Sequence, residues 1–229
     1  MSRFLTHLTR ERVIAVSLIA AWTTVWLGAV AAPDPWTSPE AALAVAERNP
    51  TGLQMYALAS VTYGVLFVPA LLGLIALVGG RGVALTRLAV GMIVIGLFGH
   101  CFEAAETLAL VASAQGLESA DALAALRPVF AALDPFTPLI AGFILGVPLL
   151  LAALWRAGLT SRWPLLALLV SFPIGVLGAS QPFSPVWILG TALAEASVVW
   201  AAVDIARTRP SATSLARFTK IASELQPQT

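Results

Sequence analysis

His100, Glu103 and Glu106 stand three residues apart within Leu88–Ala112, a stretch otherwise apolar and long enough to cross a bilayer as a helix. Ionisable groups at membrane depth are costly and generally serve a function. A carboxyl group held there can donate a proton to an apolar substrate, and an imidazole on the same helix can take one off. At about 100° per residue, steps of three residues drift by about −60°, so the three side chains form a slanted stripe on one wall of the helix. Measured from Arg87, His100 lies about 20 Å along the axis, Glu103 about 24 Å and Glu106 about 29 Å. Glu195, in a second apolar stretch, lies about 18 Å from Arg207 and shares a layer with His100.

Aromatic and polar groups fall in the same half by the same arithmetic. Tyr63 lies about 27 Å from Arg81, Trp22 and Trp26 about 15 and 21 Å from Arg12, and Gln181 about 28 Å from Arg162. His100, Glu103 and Glu195 are therefore the candidate catalytic groups, with Glu106, Tyr63, Trp22 and Trp26 as candidate ligand contacts. A purely structural role is open to each: Glu106 hydrated at the interface, Glu103 and Glu195 as hydrogen-bonding glue between helices, His100 as a satisfied core histidine. The spacing H-x-x-E-x-x-E is not a specific metal motif, so no metal is assigned, and no cofactor is expected. His7 is too far from His100, on the other side of the membrane, to give haem a second axial ligand.

The elements that must position these groups follow from composition. Hydrophobic residues make up 59% of the 229 and charged ones only 11%, with a mean hydropathy of +0.88, against about 25% charged in a soluble domain. That describes an all-α integral membrane protein. Thirteen Lys and Arg against twelve Asp and Glu leave no basic patch for nucleic acid. Cys101, the one cysteine, permits no intrachain disulfide and reads as a small core residue.

A hydrocarbon core of about 30 Å needs about 20 apolar residues, and six segments qualify: 13–32, 53–78, 88–112, 138–154, 163–180 and 185–205. The expected fold is a six-helix transmembrane bundle over residues 1–209 with a cytoplasmic tail, 210–229, whose 215–225 stretch is weakly amphipathic. Arg3, Arg10, Arg12, Arg81, Arg87, Arg156, Arg162, Arg207, Arg209, Arg217 and Lys220 fall on one side of the alternation, and only Arg48 and Arg127 on the other. By the positive-inside rule both termini are cytoplasmic, in the cell membrane. Arg10, Arg12 and the small residues Ala29 and Ala31 imitate a signal peptide, but the apolar run exceeds the usual ~7–15 residues, so a retained first span is expected.

Two short surface helices are expected on the external side. Ser38, Pro39 and Glu40 give an N-cap, a proline at N1 and an early acid, and Asn49 with Pro50 ends that helix near Arg48. Ser119–Leu133 repeats the pattern, with Asp121 in its first turn and Pro128 inside it. The connections 79–87 and 156–162 are short and make their helices antiparallel neighbours. Pro69, Pro148 and Pro173 bend spans and free backbone carbonyls.

In span layout, with a helical segment after the first span, a tight turn from Arg156 to Pro164, and Glu195 followed by Trp200 in the last span, the chain resembles a broad family of six-span bacterial, actinobacterial-type membrane proteins carrying a domain of unknown function. The resemblance covers about 13–209 and implies the six-span fold, not an activity. Three functions fit the residues. The first is a pocket, open to the external side, for a small lipophilic or cationic ligand. The second is an intramembrane acid–base isomerase or cyclase acting on an isoprenoid or lipid, with Trp22 or Trp26 facing a carbocation. The third is a proton- or cation-coupled transporter, for which six spans without a repeat imply a homodimer. Membrane lipids are the partners common to all three.

Overall fold

The computed structural model describes residues 10–32, 38–179 and 185–207, and among these there is no strand. The described residues form, in order, α1 (Arg10–Ala31), α2 (Pro39–Arg48), α3 (Pro50–Leu77), α4 (Val83–Gly116), α5 (Ser119–Leu133), α6 (Ile140–Arg156), α7 (Trp163–Ala179) and α8 (Pro185–Arg207). Short 3₁₀ helices at Gly80–Gly82 and Asp134–Leu139 precede α4 and α6. Four helices, α1, α3, α4 and α8, are long and apolar enough to cross a membrane. Helices α6 and α7 are apolar but have 17 residues each, or about 25 Å at 1.5 Å per residue. Pro138, expected to open a helix, lies inside the 3₁₀ turn, so α6 starts two residues later. The expected tail, Gln181 and His7 lie outside the described residues.

The six apolar helices close into a ring that follows chain order. α1 packs on α3, α3 on α4, α4 on α6, α7 on α8, and α8 returns to α1, while α6 meets α7 more sparsely. The α4–α6 contact is close because glycines line it: a Cβ on Gly96 would run into Phe143, and one on Gly146 into Ile93. Small residues of this kind let membrane helices approach backbone to backbone. Seating Phe143 against Gly96 buries its ring in the interior of the bundle. The outward faces carry Val16, Leu58, Val65, Leu72, Phe98 and Leu189, a surface that in water would be a continuous apolar exposure.

The two ends differ. At one, Ser38 Oγ accepts from the Ala41 amide at 3.1 Å and starts α2, and Asn49 caps α3 by accepting from the Gly52 amide at 3.0 Å. The same Asn49 donates through Nδ2 to the Ala31 carbonyl at 3.2 Å, tying the end of α1 to the α2–α3 junction. Ala42, Leu43 and Ala46 of α2 and Ala122 and Leu126 of α5 bury themselves against Leu53, Leu110 and Val111. At the other end Arg10 donates to the Gly73 carbonyl at 2.8 Å, and Gly82 lies against Ala153 and Ala157. Arg12, Arg81, Arg87, Arg156, Arg162 and Arg207 belong to this second end by their places at the helix ends and in the turns between them.

Candidate functional site

In the second turn of α3 and past the middle of α4 a carboxylate is held by two helices. His100 Nδ1 lies 2.8 Å from Glu103 Oε2, and the Tyr56 hydroxyl of α3 donates to Glu103 Oε1 at 2.6 Å. Thr107 donates from its hydroxyl to the Glu103 backbone carbonyl at 2.8 Å. With Nδ1–H given to the carboxylate, a neutral His100 presents its lone pair at Nε2, the arrangement by which a second group fixes an imidazole tautomer. His100 and Glu103 remain 17% and 12% exposed. Glu106, a turn further on, is buried, whereas Cys101, expected in the core, is exposed because it sits about 100° around the helix from His100.

An aromatic cluster fills the interior beside this network. The Tyr63 ring meets His100 edge-on at 5.2 Å, and Phe143 of α6 meets it at 5.4 Å. Trp22 of α1 stacks on Phe143 at 5.6 Å, and Phe67 sets its edge toward Trp22, Tyr63 and Phe143. One face of Trp22 is thus covered by a phenyl ring. Four helices contribute to this layer, and each ring pair adds about 0.5–1.5 kcal/mol beyond burial.

Glu195 lies in a different contact. The Thr23 hydroxyl of α1 donates to its Oε1 at 2.9 Å, and its Oε2 is buried without a hydrogen-bond partner. The structure therefore joins His100 to Glu103 directly but does not bond Glu195 to either. What links them is a chain of contacts through α1, because Thr23 adjoins Trp22, which reaches His100 through Phe143. Trp26 is about 40° around α1 from Trp22 and one turn further on, between the directions of Trp22 and Thr23. Its Nε1 is buried and unpartnered, as is the Tyr63 hydroxyl.

Tyr56, Thr23, Phe67 and Phe143 were not legible as site residues. Tyr56 had a signal, since it lies seven residues, two helical turns, before Tyr63 and so shares its face. Nothing in the sequence marked Thr23. Among the described residues no three His, Cys, Asp or Glu side chains are grouped to hold a metal ion.

Long apolar helices packed around a polar and aromatic interior define an all-helical protein of the multi-pass membrane class. No family model, curated protein or solved structure matches the chain.

Proposed function

We propose that the chain crosses a bacterial inner membrane six times, with α6 and α7 as its shorter spans, and binds a small lipophilic or cationic ligand in a pocket open to the external side, beside the aromatic cluster and lined by acidic residues of α4 and α8. Both termini face the cytoplasm in this reading and α2 and α5 cover the external side, like the layout of the six-span bacterial family it resembles. The excess of arginine at one end supports the orientation. The 3₁₀ turn before α6 supplies part of the length that 17 residues lack.

The observation that carries ligand binding is the set of three buried polar atoms without partners: Trp26 Nε1, Tyr63 Oη and Glu195 Oε2. Each costs about 1–3 kcal/mol when left unsatisfied, and native interiors hold few of them. A ligand with an apolar body and one hydroxyl can accept from Trp26 or donate to Glu195, and one with an ammonium group can donate to Glu195. A second reading, acid–base catalysis on an isoprenoid or lipid, draws on the His100–Glu103 hydrogen bond, which leaves Nε2 as a base beside an apolar interior.

Native mass spectrometry and lipid analysis of the purified protein test this. A bound molecule is expected, lost in Glu103→Gln and Glu195→Gln variants that still fold. Retention of the molecule in both overturns the site. Reporter fusions test the topology: a periplasmic signal after Arg162 or at the C-terminus overturns it.

A further inference from the structure

A second polar site is built at the basic end, where α6 turns into α7. Gly158, at φ +74°, reverses the chain after α6, with its amide donating to the Trp155 carbonyl and the Leu159 amide to the Leu154 carbonyl, both at 2.9 Å. This closure of the helix end carries Thr160 and Ser161 onto Asp204 of α8. The Thr160 hydroxyl, the Ser161 amide and the Ser161 hydroxyl donate to one oxygen, Asp204 Oδ2, at 2.8, 3.1 and 3.4 Å. The loop and the last turns of α8 then border an open surface depression of about 420 Å³ lined by Gly158, Leu159, Thr160, Ser161, Asp204 and Arg207.

Charge and setting select the occupant. Asp204 is engaged by three donors, whereas Arg207 is exposed and makes no ion pair with another described residue. Arg162, next to Ser161, sits over the Trp163 ring at 5.2 Å, and Arg156 is exposed at the other end of the turn. Trp155 and Trp163 flank the loop at 48% and 52% exposure, the amphipathic rings that favour the headgroup level of a bilayer. A guanidinium fork suits phosphate oxygens, and basic pockets at the cytoplasmic ends of membrane helices bind anionic headgroups.

We propose that this depression binds the phosphate of an anionic lipid headgroup from the adjoining leaflet, with Arg207 as the direct contact and Trp155 and Trp163 holding the loop at the interface. The site rests on reading α6 and α7 as spans, not on the interior pocket.

The test uses the full chain in lipid nanodiscs of phosphatidylglycerol or phosphatidylcholine, followed by native mass spectrometry of retained lipid. Wild type retains phosphatidylglycerol in preference, Arg207→Gln weakens that retention about fivefold, and Arg87→Gln, at the same end but remote from the depression, leaves it unchanged. Equal losses in the two variants overturn the site in favour of general surface charge. Displacement of the lipid by millimolar inorganic phosphate overturns the lipid assignment in favour of a soluble anion. A wild type that incorporates but shows no lipid preference overturns the site alone, whereas one that fails to enter the discs overturns the membrane reading with it.

Discussion

Glu103 and Glu195 are the same residue type in two long apolar helices, yet the bundle treats them differently. Glu103 has both oxygens engaged, one by Tyr56 across the α3–α4 contact and one by His100 on its own helix. Glu195 has a single bond from Thr23 and an oxygen with none. The first carboxyl group is held from both sides, by an imidazole on its own helix and by a hydroxyl from a neighbouring helix. The second keeps an oxygen with no partner among the described residues, which is why the proposed ligand reading rests on it. The number of partners separates the two.

The largest effect that would test this contrast is Glu103→Leu. It removes the acceptor that the Tyr56 hydroxyl and His100 Nδ1 share, and unfolding in detergent should show a loss of about 2–4 kcal/mol. Tyr56→Phe should follow at about 1 kcal/mol, and a double-mutant cycle with Glu103→Gln should give a coupling energy that Glu195→Gln does not share. Glu195→Leu should cost about 0.6 kcal/mol or less, because it removes an unsatisfied oxygen along with the bond. Thr23→Val should be the mildest, near zero to about 0.6 kcal/mol. In the Glu195→Leu chain the Thr23 hydroxyl can turn to the carbonyl of Ile19, as that of Thr24 already does to Ala20 at 2.8 Å. A Glu195→Leu loss exceeding that of Glu103→Leu would reverse the comparison.

Much of the helical framework was legible in the sequence because its signals are local. Ser38, Pro39 and Asn49 bound α2 at the residues expected, since capping chemistry acts within one turn. Hydropathy located the long helices but undershot their ends: α4 runs from Val83 to Gly116, beyond the apolar stretch, because its last turns pack against the short helices. His100 and Glu103 could be paired from their spacing on one helix. Tyr56 as the anchor and Thr23 as the partner of Glu195 could not, since both depend on which helices become neighbours and at what height. That neighbour order rests on glycines such as Gly96 and Gly146, whose meaning depends on the facing helix. Asp204 was not legible for the same reason, since Thr160 and Ser161, which donate to it, lie 44 and 43 residues away in the chain.

The ring of helices in chain order bears on how the protein is made. Along most of the ring each apolar helix finds as its neighbour the apolar helix synthesised just before it, so contacts can form in the order of emergence from the ribosome. Among the described helices, only the α8–α1 contact joins the last to the first. Its antiparallel partners bring Arg207 and Arg10 to the same end. A chain rewired to run from α8 directly into α1, and opened at the sparse α6–α7 boundary, would keep the large contacts while exchanging which of them forms last.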